Sequence, residues 1–277
     1  MNAFDIGNAR AGGPRLLIVA GPCVVESAEM CLTVAAKLKA LTTERGLPFV
    51  FKASYRKANR SSGRSFAGLP GEAGLNALSR VKAELGVPIL TDVHEESEVA
   101  TAAEVADVLQ IPAFLSRQTS LLVAAAKTGR AVNVKKGQFL APSDMENVVS
   151  KLTGAGCERV LLTERGTTFG YGDLVVDMRG LVTMRELGWP VLYDATHSLQ
   201  RPGGAETGGD RRFAFPLMRA AVACGVDGLF FEAHPDPDRA LSDAATQLPL
   251  ARAAAFLDEA LRVFEAVQEA PSGVRRP

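Results

Sequence analysis

The 277-residue chain is predicted to fold as an α/β, single-domain (β/α)8 barrel, and three observations predict it. Eight short apolar runs recur along the sequence, segments of helical period separate them, and the length is close to the roughly 250 residues of a typical barrel. The strand candidates cover residues 16–20, 49–52, 89–91, 108–111, 131–134, 160–163, 191–194 and 228–232. Between the first two, Met30, Val34, Leu38 and Leu41 form an apolar stripe that Ser27 opens and Gly46 closes. Ser143 and Glu146 read as a capping box ahead of Met145, Val148, Val149 and Leu152. Strand-helix alternation of this kind predicts parallel strands with right-handed crossovers. Eight unbroken units favour closure over the runner-up, an open doubly wound sheet.

Composition agrees with that architecture. Hydrophobic residues make up 47% of the chain and aromatics only 6%, so the core is built from Ala, Val, Leu and Ile. Residues 16–268 are assigned to the barrel, and 1–15 and 269–277 are expected to be flexible. Lys and Arg balance Asp and Glu at 31 each, which leaves no global field to attract nucleic acid or an anionic membrane. Any positive site must be local. No stretch approaches the roughly 20 apolar residues of a membrane span. The run at 16–20 is too short for a signal peptide, and Pro22 is a poor cleavage context before Cys23. Cys23, Cys31, Cys157 and Cys224 lie far apart with no CxxC pair, so a cytoplasmic protein with free thiols is expected. Three stretches break the strand-helix rhythm, at 53–69, 195–212 and 233–249, and long loops of this kind are usually functional.

The active site of a parallel barrel sits at the C-terminal ends of its strands, and those ends carry two patterns. The first is cationic: Lys52, Lys57, Arg60, Arg117, Lys135 and Arg165 are expected to converge on one mouth. Any one of them alone is more often a solvated surface residue, but six at strand ends need anions to offset them. Two phosphates and a carboxylate would supply about the required charge. Lys135 and Lys136 alternate along a strand, so only one should face inward, and the sequence leaves open which. The second pattern is a ligand set. Cys23, His197, Glu232 and Asp243 follow strands one, seven and eight, and closure of the barrel makes those loops neighbours. A thiolate, an imidazole and two carboxylates suit one divalent ion such as Zn, Fe or Mn. A buried Cys beside an unrelated His carries equal weight on spacing alone. His94 and His234 read as hydrogen-bonded structural histidines, and the other three cysteines as packing residues.

Several motifs at these positions are long and specific: Val50-Phe51-Lys52-Ala53-Ser54, Lys57-Ala58-Asn59-Arg60-Ser61-Ser62, Thr91-Asp92-Val93-His94-Glu95, Gln110-Ile111-Pro112-Ala113-Phe114, Asn133-Val134-Lys135-Lys136-Gly137-Gln138-Phe139 and Glu232-Ala233-His234-Pro235. In these the sequence resembles the 3-deoxy-D-manno-octulosonate 8-phosphate synthases, over about residues 16–250. The resemblance implies condensation of phosphoenolpyruvate with D-arabinose 5-phosphate and water, a step toward lipopolysaccharide. It implies that Lys52, Lys135, Arg165 and His197 hold phosphoenolpyruvate. Lys57, Asn59, Arg60, Ser61, Asp92 and Gln110 would hold the aldose phosphate. Phe114 and Arg117 would reach a neighbouring subunit's sugar-phosphate site, so a homotetramer is expected. Gly21-Pro22-Cys23 resembles the metal-dependent branch, whose ion would be held by Cys23, His197, Glu232 and Asp243; the metal-independent branch has Asn at position 23. Proton transfer is expected from His197 or Asp243, with Lys135 and Cys23 completing the catalytic candidates. Arg56 and Gly63-Arg64 depart from the family pattern, which bears on the loop and the interface.

Four alternatives compete with this reading. A sister synthase that uses erythrose 4-phosphate shares Gly-Pro-Cys but has Lys-Pro-Arg-Thr where this chain reads Lys57-Ala58-Asn59-Arg60-Ser61. A sialic acid-type synthase needs no second phosphate site. A non-catalytic sugar-phosphate binder would release no phosphate. A dehydrogenase lacks its Gly-x-Gly-x-x-Gly here.

Overall fold

The computed structural model describes residues 1–58, 66–169, 171–203 and 208–269. The chain opens with a hairpin of β1 (Phe4–Ile6) and β2 (Ala9–Ala11), and then enters β3 (Leu17–Gly21), α1 (Ala28–Glu44), β4 (Phe49–Lys52), α2 (Ala73–Leu85), β5 (Ile89–Asp92), α3 (Glu96–Val105) and β6 (Val108–Ile111). It continues through α4 (Thr119–Lys127), β7 (Ala131–Lys135), α5 (Met145–Gly154) and β8 (Val160–Glu164). A small hairpin, β9 (Thr167–Thr168) with β10 (Leu174–Val175), leads to α6 (Met178–Glu186) and β11 (Val191–Asp194). A second one, β12 (Gln200–Arg201) with β13 (Gly208–Gly209), precedes α7 (Ala214–Ala223), β14 (Gly228–His234), β15 (Leu248–Pro249) and α8 (Ala253–Glu269).

Eight strands pair in parallel in the order β3-β4-β5-β6-β7-β8-β11-β14, and β14 pairs back onto β3. The sheet therefore closes, as eight unbroken strand-helix units predict. The predicted strand limits hold to within two residues. Ser27 caps α1, its Oγ accepting from the Met30 amide at 3.1 Å. Outward-facing strand residues such as Ile18, Phe51, Leu109 and Val134 pack against the buried faces of the helices, forming the larger core. No helix among the described residues is long and apolar enough to cross a membrane.

Two local expectations fail. Ser143 makes no cap: residues Pro142–Asp144 form a 3-10 turn ahead of α5, and the Asp144 carboxylate accepts from the Ala141 amide at 2.9 Å. Pro142 favours that turn because its missing N–H costs nothing at a helix start. Residues 1–15, expected to be flexible, instead supply the β1–β2 hairpin, which turns at Gly7 with φ 57. Its inward residues Phe4, Ile6, Ala9 and Ala11 are buried against Leu17, Val50, Leu90, Val108, Leu161 and Leu192 at the N-terminal end of the barrel. The hairpin is a stopper, and the apolar area it buries holds it there. Phe4→Ala is expected to cost about 3 kcal/mol, read as a lower melting temperature with the mouth chemistry intact. Of the expected tail, Glu269 ends α8 and residues 270–277 lie outside the described residues.

Candidate active site

The period of two along each strand builds the site. The inward residues begin as an apolar layer: Val50, Leu90, Val108, Leu192 and Phe230. Two residues further along the same face the layer becomes polar, with Lys52, Asp92, Gln110, Asp194 and Glu232. On β7 and β8 the same alternation gives Asn133 then Lys135, and Thr163 then Arg165. All of these are buried, and buried polar groups need partners. A row of hydrogen bonds supplies them on one side of the barrel. Thr163 Oγ1 donates to Asn133 Oδ1 at 2.7 Å, Asn133 Nδ2 to Gln110 Oε1 at 2.8 Å, and Gln110 Nε2 to Asp92 Oδ1 at 2.6 Å. Ser54 Oγ closes the row on Asp92 Oδ2.

Above this floor lies a cavity bounded by Lys52, Lys57, Lys135, Arg165 and His197 together with Asp92, His94, Gln110, Phe114 and Gln138. Lys52 Nζ donates to Glu232 Oε1 at 2.7 Å and to the Cys23 carbonyl at 3.1 Å. Lys135 pairs with Asp194 and sits over the Phe230 ring, 3.2 Å from its centroid. Burial lowers Lys135 to about 8 despite the pull of Asp194. Arg165 donates from Nη2 to Gln200 Oε1 at 2.6 Å, while its buried Nη1 has no hydrogen-bond partner. Burial opposes ionisation of Asp92, but Lys52 and Lys57 outweigh it and hold this carboxyl well below the usual range. The open question between two lysines is answered by the pleat: Lys135 faces the cavity, and Lys136 faces outward toward Glu164.

One expected cation does not join this mouth. Arg117 is exposed and lines a separate surface cleft with Asp144, Asn147 and Lys151. The chain leaves β6 through Pro112 and a 3-10 turn at Ala113–Leu115, which carries Arg117 past the rim. Phe114, in that turn, touches the cavity yet stays 57% exposed. Asn59, Arg60 and Ser61, and the departure at Gly63-Arg64, lie outside the described residues. Arg56 pairs with Glu95 and Glu98.

Beside the cations stands the donor set. Cys23 Sγ is 3.0 Å from Asp243 Oδ2, and ligand atoms of Cys23, Glu232 and Asp243 lie within 4.8 Å of one another. His197 Nε2 is 3.6 Å from Glu232 Oε1 and 3.7 Å from Asp243 Oδ2. Barrel closure does this, since Glu232 of β14 pairs with Gly21 of β3. Gly21 is needed there, as a Cβ would come 2.0 Å from the Lys52 carbonyl. The Cys23 backbone is pinned by Gln247 Oε1 and by the Ser54 amide. Asp243 has φ 48, a left-handed conformation uncommon outside glycine, and such strain clusters at functional sites. Asp194 accepts from the His197 amide at 2.8 Å and lies 2.8 Å from His197 Nδ1. Burial and the two carboxylates push the Cys23 thiol well above its ordinary range. His234 accepts from the Asp236 amide through Nδ1 at 3.0 Å, and His94 Nδ1 lies 3.5 Å from Glu98. Neither belongs to the clustered ligand atoms of Cys23, Glu232 and Asp243, although His94 borders the cavity.

Sequence reasoning placed Asp194 at a strand end and Gln138 within a motif without giving either a role, and it missed Gln200. The strand period carried the signal for Asp194, which is in phase with Leu192. No sequence signal picks out Gln200, which opens the two-residue strand β12.

Comparison with known proteins agrees with this construction. The family model described as the DAHP synthetase I family matches residues 4–269. A 2-dehydro-3-deoxyphosphooctonate aldolase of Trichlorobacter lovleyi is 54% identical over 267 residues, covering 95% of this chain and 98% of the relative. One from a Synechococcus species is 55% identical over 268 residues, 96% of this chain and 93% of the relative. One from Cupriavidus necator is 56% identical over 243 residues, 85% and 84% of the two chains. The chain belongs to the DAHP synthetase I family and groups there with the 2-dehydro-3-deoxyphosphooctonate aldolases, the 3-deoxy-D-manno-octulosonate 8-phosphate synthases of the sequence resemblance.

Proposed function

We propose that this protein joins phosphoenolpyruvate to D-arabinose 5-phosphate with water, giving 3-deoxy-D-manno-octulosonate 8-phosphate and inorganic phosphate for lipopolysaccharide assembly. One observation carries the reading: a buried cation pocket opens beside a thiol, an imidazole and two carboxylates, at the barrel end where chemistry is expected. Lys52, Lys135, Arg165 and His197 hold phosphoenolpyruvate, whose phosphate and carboxylate offset the cations. The unpartnered Nη1 of Arg165 suits an anionic oxygen. Asp92, Gln110 and Lys57, with Asn59, Arg60 and Ser61, hold the aldose phosphate. C3 of the enol phosphate bonds to the aldehyde carbon, whose oxygen takes up a proton. Water adds at C2 and loses a proton. The resulting hydroxyl then forms the C2 carbonyl as it gives up its remaining proton, and the bond from C2 to the phosphate-bridging oxygen breaks with its electron pair leaving on phosphate, which takes up a proton. Much of the acceleration is positioning and charge neutralisation. His197 or Asp243 carries the protons.

The donor set fits a divalent ion. Besides its geometry, the buried Glu232 Oε2 has no hydrogen-bond partner, and a thiol among carboxylates is more readily explained by a shared cation. Cys23, His197, Glu232 and Asp243 would hold a Zn, Fe or Mn ion, which supplies a Lewis acid next to the aldehyde. We place the protein in the cytoplasm, on its free cysteines. We assign it a homotetramer in which Phe114 and Arg117 meet a neighbouring subunit, since Phe114 at the cavity rim is 57% exposed and Arg117 is exposed outside the cavity.

The test is phosphate release from phosphoenolpyruvate with arabinose 5-phosphate or erythrose 4-phosphate as acceptor, each with and without chelator. Preference for the four-carbon sugar, or no release with either, overturns the reading. A pH prediction follows from Lys135. It is charged at neutral pH and loses its proton as pH rises through about 8. Phosphoenolpyruvate affinity, measured by calorimetry, should therefore fall between pH 7 and 9.5, and Lys135→Arg should flatten that decline, since guanidinium stays protonated.

A further inference from the structure

Two charged side chains are buried behind the pocket wall and take no part in the chemistry above. Lys136 and Glu164 directly adjoin Lys135 and Arg165 in sequence, so the strand pleat turns one pair outward and the other inward. The outward side chains are 1% and 3% exposed, with Nζ 3.6 Å from Oε1. Lys136 Nζ also reaches the carbonyls of Gly137 and Leu140 at 3.3 Å each and Thr167 Oγ1 at 3.0 Å. Glu164 Oε1 accepts from the Gly166 amide at 2.6 Å. The pair thus fastens four segments together: the end of β7, the turn at 137–140, the end of β8, and β9. Burial lowers Lys136 and raises Glu164, each toward its neutral form.

As a source of stability this is a poor arrangement, because apolar residues of similar volume often do as well as a buried ion pair or better. Direction is what the pair offers. Three hydrogen bonds and one ion pair around one ammonium fix how far β7 and β8 are rotated and separated at their ends. Those ends carry Lys135 and Arg165 on the opposite face.

We propose that Lys136 and Glu164 are a positioning pair that sets the geometry in which Lys135 and Arg165 grip phosphoenolpyruvate. The inference rests on the functional reading above, in which those two cations hold that substrate. Its test is the double variant Lys136→Met/Glu164→Leu, followed by thermal melting, calorimetric phosphoenolpyruvate affinity and steady-state kinetics on the metal-loaded protein. The variant should melt close to the parent. Its dissociation constant and KM for phosphoenolpyruvate should rise on the order of tenfold, as a small misplacement of gripping groups requires. The KM for arabinose 5-phosphate should stay within about twofold, because its proposed contacts come from other strands. Lys136→Arg keeps the charge and should keep most of the affinity. A folded double variant with unchanged phosphoenolpyruvate affinity overturns the proposal, as does an equal rise in both KM values. Should the double variant not fold, Glu164→Gln reads the same split between the two substrates, and unchanged affinity or an equal rise again overturns the proposal. Wild-type protein that binds no phosphoenolpyruvate sinks both the pair and the functional reading. Binding without turnover sinks the functional reading alone, and the affinity comparison still decides the pair.

Discussion

Stripping the protein with a strong chelator is expected to cut turnover at least about a hundredfold, with Mn or Zn restoring it. The expectation follows from charge. Cys23, Glu232 and Asp243 converge within 4.8 Å, and burial together with the two carboxylates pushes the thiol up despite the opposing pull of Lys57 and Lys52. Lys52 compensates one oxygen of Glu232 but leaves the other without a partner. Cys23→Ala should reproduce the loss and should not recover at the ion concentration that restores the parent, since the softest donor is gone. Phosphate release and bound metal per chain, measured together, check this. Undiminished turnover in metal-free protein would reduce the thiol to packing and remove the ion from the reaction.

The second large effect is expected at Asp194. Its carboxylate holds Lys135 on one side and His197 on the other, so one side chain orients the cation proposed to hold phosphoenolpyruvate and a candidate metal ligand at once. Contact with Nδ1 leaves His197 Nε2 directed at Glu232 and Asp243, the tautomer a metal-binding imidazole needs. Asp194→Asn preserves volume but withdraws the negative charge that Lys135 faces and offers the imidazole an amide. We expect turnover to fall on the order of a hundredfold, with weaker retention of metal on dialysis. A variant with parental turnover and parental metal content would show that neighbouring groups do the orienting.

Much of this was legible in the sequence, and the reason is periodicity. Apolar runs marked the eight strands, and reading on from their ends collected Lys52, Asp92, Gln110, Glu232 and Arg165. The β1–β2 hairpin escaped because its strands are three residues long with only two buried positions each, although Gly7-Asn8 is a recognisable two-residue turn. Arg117 was misplaced because strand-end reasoning stops being valid once a proline turn redirects the chain. Choosing between Lys135 and Lys136 required knowing where β7 ends, and a shift of one residue reverses the answer.

The interior row from Thr163 to Asp92 governs how the floor of the cavity behaves. A carboxylate can only accept, so it fixes which end of Gln110 faces it, and that choice dictates the amide of Asn133 and then the hydroxyl of Thr163. One ionised group therefore gives the whole line a single polarity, much as a magnet aligns a file of compass needles. Asp92→Asn would let the file run in either sense, giving the substrates two floors with opposite dipoles in place of one.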